Sequence, residues 1–204
     1  MSNIPRTTRE RYPHYIRALR ALKSRGKTKV TSVELGREME IGDTSVRRDL
    51  AFLGKMGRQG LGYDVDYLIS CFKKEIVPDE TENIVLCGLG NMGKALVKYN
   101  TFFDKTGEIV AIFEANPLLV GEYDGIPVYH ISEITEKLPK DTKVAIMAIP
   151  KEPLNAVASA LISKGVKAFI NFSDGEIRTR SKGVVVHKVD LISMVQEVIY
   201  SMKK

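Results

Sequence analysis

Asn83-Ile84-Val85-Leu86-Cys87-Gly88-Leu89-Gly90-Asn91-Met92-Gly93 is the stretch on which the fold turns. A strand-length apolar run ends directly in G-x-G-x-x-G, and a helical pattern follows. Each glycine has its own physical task. Gly88 permits the tight turn, Gly90 lets the backbone approach a pyrophosphate, and Gly93 lets the helix pack close to the strand. The helix N-terminus at Asn91 and Met92 then faces the phosphates, with Leu89 between the first two glycines. Further along, Ile109-Val110-Ala111-Ile112-Phe113 reads as the second strand, and Glu114 follows it, twenty-one residues after Gly93. An acidic side chain there can accept bonds from adenosine ribose hydroxyls and disfavours a 2′-phosphate. Ala115-Asn116-Pro117 offers no Arg to receive one. The expected cofactor is therefore NAD+ or NADH rather than a 2′-phosphorylated dinucleotide.

Toward the C-terminus the pattern keeps alternating. Strands are expected at 83–87, 109–113, 143–149, 166–171 and 184–187, and helices at 92–100, 131–138, 152–164 and 190–202. Near-continuous apolar strands alternating with helices predict an α/β domain with a parallel sheet covered on both faces. The last helix places Leu191, Ile192, Val195, Val198, Ile199 and Met202 on one face. That face can cap its own sheet or pack on a partner subunit.

Toward the N-terminus the period is helical throughout. Tyr12, Tyr15, Ile16, Leu19 and Leu22 form one stripe of a helix over 8–25, with Pro13 in its first turn and Gly26 as its stop. Val30-Thr31 is extended. Ser32 is expected to cap a second helix with Val33, Leu35, Gly36 and Met39 inward. The turn Glu40-Ile41-Gly42 leads to a third helix, from Asp43 or Thr44 to Leu53, with Val46, Leu50 and Leu53 inward. Ser45, Arg47, Arg48 and Asp49 are left to its flanks and exterior. Gly54 to Tyr63 carries four glycines with Lys55 and Arg58, which predicts a tight basic hairpin, and 65–74 returns to helix. Helix, turn, helix and hairpin together make a winged helix-turn-helix.

A helix fits the major groove and reads it with N-terminal side chains. Arg47 and Arg48 are placed to bond guanine, Thr44 and Ser45 to bond phosphate, and Arg58 to enter an A·T-rich minor groove. Tyr12, Tyr15 and Phe52 are assigned to the core. The polar segment Pro78-Asp79-Glu80-Thr81-Glu82 separates this module from the sheet domain.

Charge divides at the same place. Of 204 residues, 1–78 hold 16 Lys and Arg against 9 Asp and Glu, whereas 79–204 hold 15 against 16. Residues 1–29 alone hold nine cations against Glu10. A uniformly basic protein is excluded, and nucleic acid is the first partner to expect. Composition is ordinary globular, which excludes collagen and low-complexity classes. Cys71 and Cys87 are too few for a disulfide framework, and Cys87 reads as a buried apolar residue. No signal-peptide h-region and no membrane-length apolar run appear, so a cytoplasmic protein with no membrane association is expected. No metal-ligand spacing is present. The three histidines, His14, His130 and His187, form no evident catalytic pairing, and no catalytic residues are assigned. A nucleotide loop without a catalytic set, joined to a DNA reader, points to a sensor rather than an enzyme.

Further segments carry a resemblance over essentially the whole chain. They are Ser45-Val46-Arg47-Arg48-Asp49-Leu50, Gly57 to Tyr63, Gly88 to Gly93, Gly125 to Tyr129, Gly165 to Phe172 and Val189-Asp190-Leu191. In these the chain resembles the Rex family, bacterial repressors that sense the NADH/NAD+ ratio. The resemblance implies a homodimer with a swapped C-terminal helix and an A·T-rich palindromic operator on double-stranded DNA. The operator is bound when NADH is low and released when NADH binds. It implies DNA contacts at Arg47, Arg48 and the wing residues Arg58, Gly60 and Tyr63. It adds Ala148, Ile149, Pro150, Tyr99, Asn171 and Phe172 to the cofactor site. It makes Arg17, Tyr99 and Asp190 switch residues. It implies that Arg17 pairs with the partner's matching aspartate in the DNA-competent form, and that Tyr99 engages that aspartate when NADH is bound. The chain departs from the family at Ser173-Asp174-Gly175-Glu176, at Ala148-Ile149-Pro150, and at Glu114, where Asp is commoner. A carboxylate at Asp174 or Glu176 beside the nicotinamide would weaken the preference for the neutral reduced ring.

The expected organisation is a winged-helix DNA-binding domain at 1–78, a Rossmann-like NAD(H) domain at 79–188 and a dimerisation helix at 189–204. Two other readings stand beside the redox-sensing repressor. One is a small NAD-dependent oxidoreductase with a basic accessory module. The other is a repressor of the same fold that does not respond to NADH.

Overall fold

The computed structural model describes residues 4–54, 62–76, 81–100 and 106–202. Its contacts divide the chain into two units, Met1–Asp79 and Glu80–Lys204. The first begins with helix α1 (Arg6–Ser24), which starts earlier than the sequence predicts and carries Pro13 in its interior. The apolar stripe holds it in place. Tyr12, Tyr15, Leu19 and Leu22 are buried, and the Tyr15 ring stacks on Phe72 at 4.7 Å. Helix α2 (Ser32–Glu38) is capped one residue earlier than expected, by Thr31 rather than Ser32. Thr31 and Glu34 form a reciprocal capping box that is worth about 1 kcal/mol. Leu35 and Gly36 face inward as expected, but Val33 is exposed.

A Cβ on Gly36 would lie 2.6 Å from the Ile41 carbonyl oxygen, so only glycine admits the turn to α3 (Asp43–Phe52). Glu40, not Gly42, takes the left-handed conformation there, at φ 55°. Strand β1 (Lys29–Val30) pairs antiparallel with β2 (Tyr63–Asp64), and α4 (Val65–Ile76) closes the unit. The hairpin residues Arg58 and Gly60 lie outside the described residues.

The second unit holds a seven-stranded sheet in the order β5-β6-β4-β3-β7-β8-β9. Strands β3 (Glu82–Cys87), β4 (Gly107–Glu114), β6 (Ile126–His130), β7 (Val144–Met147), β8 (Ala168–Asn171) and β9 (Val185–Lys188) run parallel. β5 (Gly121–Tyr123) is antiparallel to β6, and neither strand is among those read from the sequence. Side chains alternate between two cores. Val85, Cys87, Phe113 and Met147 meet Leu154, Val157 and Leu161 of α7 (Lys151–Ser163). Leu86, Ile112, Val128 and Ile146 face the side of α5 (Asn91–Lys98), where Val97 is buried. The expected helix at 131–138 is a 3-10 turn followed by the short α6 (Ile134–Lys137). The last helix, α8 (Leu191–Ser201), buries none of its residues.

The chain runs outward from β3 through β4 to β6, then returns to β7 on the other side of β3. Such a reversal opens a crevice at the carboxyl ends of the two central strands, where open α/β sheets bind ligands.

Candidate nucleotide and DNA-reading sites

The glycine loop sits at that reversal. Gly88 N–H donates to the Phe113 carbonyl and Ala148 N–H to the Cys87 carbonyl, both at 2.8 Å, so the loop joins three strand ends. Gly88 has φ 96°, and a Cβ there would lie 2.3 Å from the Ala148 carbonyl oxygen. A Cβ on Gly93 would lie 2.0 Å from the Gly88 carbonyl oxygen, which is the close helix–strand packing expected of it. Gly90 differs. Its φ is −71°, and among the described residues no atom beyond its chain neighbours and its own helix backbone lies within 4 Å of a Cβ built on it. No packing among the described residues requires glycine here, which leaves space for a ligand. Gly90 also gives α5 no side-chain cap, which leaves the first amides of the helix open to an anion. The loop therefore fits a dinucleotide pyrophosphate.

Glu114 is not turned simply toward solvent. Its Oε2 accepts from the Leu89 N–H and its Oε1 from the Asn116 N–H at 2.8 Å. The carboxylate clasps the loop to the end of β4 and keeps further lone pairs for ribose hydroxyls. The Leu89 side chain is buried, and its amide is used by Glu114. Ile149 packs into the core, and Pro150 forms the N-terminal boundary of α7. Asn171 is buried, and its amide shapes the next loop by donating to the Gly175 carbonyl at 2.8 Å and accepting from Ser173 N–H at 3.0 Å. It supports the site from behind. Tyr99 ends α5 at its C-terminus, and eight residues of helix rise place it roughly 12 Å from the glycine loop. The structure does not bring Tyr99 to that loop.

Along the same sheet edge, Met92, Phe172, Asp174, Lys188, Asp190 and Ser193 line a cavity of about 360 Å³. Register explains the grouping, since Phe172 N–H bonds the Met147 carbonyl and Val189 N–H the Asn171 carbonyl. Lys188 Nζ pairs with Glu176 at 2.6 Å, so the expected excess of negative charge from Glu176 is neutralised and Asp174 remains. Asp190 caps α8. Its Oδ1 accepts from Ser193 N–H at 2.9 Å and its Oδ2 from the Ser193 hydroxyl at 2.8 Å. Those bonds, together with nearby Lys188, hold its carboxyl below the ordinary range. Lys188 and Ser193 were not among the residues expected at the site, although Lys188 directly precedes the Val189-Asp190-Leu191 segment and Ser193 lies two residues beyond it. Cys87 is a buried apolar residue as expected, and burial pushes its thiol up to about 12. The His130 ring contacts the Ser132 hydroxyl and the Ala115 carbonyl, as a local brace.

In the first unit, Thr44, Arg47 and Arg48 are exposed on α3 and Ser45 is half-buried. Arg47 pairs with Asp43 one turn back, at 2.7 Å. An exposed pair of this type is worth about 0.3–0.5 kcal/mol, and a bidentate contact to guanine about 1–3 kcal/mol, so DNA can recruit Arg47. Tyr63 is half-buried in β2 against the core. Phe52, assigned to the core, is 38% exposed. Arg17 is exposed on α1 and lines a hollow with His14, Glu38 and Glu40.

Asp49, left to the flank or exterior by its spacing, is wholly buried. Thr8 and Arg11 donate to its Oδ1 at 2.9 and 2.7 Å, and Arg11 and Tyr15 to its Oδ2 at 2.7 and 2.9 Å. Burial alone would raise the Asp49 carboxyl, but bonds from Arg11, Tyr15 and Thr8 outweigh it and hold the group below its usual range.

Residues 79–175 match the family described as "CoA binding domain", and residues 3–51 the family described as "Putative DNA-binding protein N-terminus". The chain is 36% identical to the redox-sensing transcriptional repressor Rex of Anoxybacillus flavithermus over 201 residues, 98% of this chain and 94% of that one. Among solved structures it is similar to RSP in complex with β-NAD+ and operator DNA. The TM-score is 0.86 at 28% identity, covering 99% of this chain and 94% of the other. The structure of RSP with β-NADH also gives 0.86, at 25% identity over 99% and 95%.

Proposed function

The chain belongs to the Rex family of redox-sensing transcriptional repressors, and from that premise we propose how its two units divide the work. It is a DNA-binding repressor whose cofactors are NADH and NAD+, and its named relatives are regulators rather than enzymes. The first unit reads an A·T-rich palindromic operator with Arg47 and Arg48 in the major groove and the Arg58 hairpin in the minor groove. The second unit holds the dinucleotide, with its pyrophosphate on the amides at Gly90 to Gly93 and its ribose at Glu114. NADH brings a neutral ring and NAD+ a charged one. The cavity at Asp174, Lys188 and Asp190 is where that difference is registered.

The protein acts as a cytoplasmic homodimer. The eight large apolar residues exposed at 191–202 support this, since a face of that kind needs a partner surface. Asp190, at the root of α8, and Arg17, exposed on α1, form the switch pair across the dimer, and Tyr99 competes for the aspartate. Any ligand shifts such an equilibrium only by its differential affinity for the two forms.

The observation that carries this reading is the open, uncapped glycine loop at the strand reversal. Calorimetry on the full chain with NADH, NAD+ and coenzyme A tests it. Micromolar binding of NADH, tighter than that of NAD+, is expected. No NADH binding, or preference for coenzyme A, would leave a repressor that does not sense redox state.

A further inference from the structure

We propose that Asp49 is a positioning residue for DNA reading: it fixes the rotation of α3 about its own axis and locks α3 to α1. The inference rests on the reading of α3 as the DNA-reading helix. Three observations carry it. Thr8, Arg11 and Tyr15 lie on one face of α1, and each oxygen of Asp49 takes two donors from that face. Asp49 is directly followed by the buried Leu50 and directly preceded by the exposed Arg48. Successive residues of a helix are about 100° apart, so the inward direction of Asp49 dictates the outward directions of Arg48 and Arg47.

Apolar packing alone does this less well. Val46 and Leu50 also face inward, but hydrophobic contact is non-directional and tolerates small rotations. A bidentate guanidinium–carboxylate pair fixes geometry as well as distance. Nor is such a pair retained for stability as such, because a buried ion pair is often no better than apolar residues of the same volume. The Arg11 side chain is still 31% exposed, so it can turn to water if Asp49 loses its charge. The helix carrying Arg17 is thus the helix that holds α3, and a pull on α1 moves the reading arginines with it.

The test uses the full-length protein and two DNA probes. One is the tightest duplex selected from random sequence on the wild-type protein, and the other is poly(dI-dC). Asp49→Asn is expected to weaken binding to the selected duplex roughly tenfold or more, with poly(dI-dC) affinity within about twofold. A second variant replaces the whole network with apolar groups: Thr8→Val, Arg11→Met, Tyr15→Phe and Asp49→Leu together. It is expected to melt near the wild-type temperature and still lose discrimination between the probes. A folded variant with the wild-type ratio of the two affinities would overturn the proposal. So would losses on both probes that track lost stability, or failure of both variants to fold. Arg48→Ala is the control for the underlying reading. If it binds the selected duplex as tightly as wild type, α3 is not the reading helix and the proposal falls with it.

Discussion

Gly88, Gly90 and Gly93 belong to one motif but answer to two different requirements. Gly88 and Gly93 are demanded by backbone atoms of the protein itself, at 2.3 and 2.0 Å from any added Cβ. Gly90 is demanded by no packing among the described residues. Their substitutions should therefore separate. Gly93→Ala should lower the melting temperature and NADH affinity together. Gly90→Ala should leave stability within about 0.5 kcal/mol, as at an ordinary surface site, and cut NADH affinity alone. Paired melting and calorimetry check this, and a Gly90→Ala protein that binds NADH normally would place the pyrophosphate elsewhere. These three roles were legible because the motif is local. Asp49 was not, because its donors lie 41, 38 and 34 residues away in sequence, on a helix whose face toward α3 cannot be read from α3. The hold of Glu114 on Leu89, 25 residues back, was hidden for the same reason.

At the scale of elements, helical and strand periods located every described helix of seven or more residues and five of the seven strands of the large sheet, because burial imposes them. The omissions are pieces governed by turn chemistry. β5 and β6 form a hairpin through Asp124 and Gly125, both at positive φ, and an Asp-Gly pair is a strong hairpin signal. Thr31 and Glu34 likewise spell a capping box that outranks Ser32 as the cap. Helix α8 could be read as amphipathic, yet its period could not say what it covers. The structure shows that it does not cap its own sheet, since none of its residues is buried. Val195→Lys combined with Ile199→Lys should accordingly turn a dimer into a monomer in sedimentation, while each chain keeps its circular dichroism. A variant that still sediments as a dimer would remove α8 from the interface.

For the whole molecule, the regional excess of positive charge meant less than its placement. Arg6, Arg11, Lys23, Arg25 and Lys27 are each paired with an acid on the same unit. Arg48, by contrast, is exposed on the helix assigned to DNA, in a stretch of nearly balanced charge. Net charge therefore signals the class of partner, and helix position selects the reading residues. Redox sensing requires the nucleotide unit to bias the DNA unit, so a single titration tests both at once. The selected duplex is titrated with protein at several NADH/NAD+ ratios and fixed total dinucleotide. As the NADH fraction rises, half-binding should move to steadily higher protein concentration, with tight binding in NAD+ alone. Curves that coincide at every ratio would contradict repression governed by the redox state of the dinucleotide.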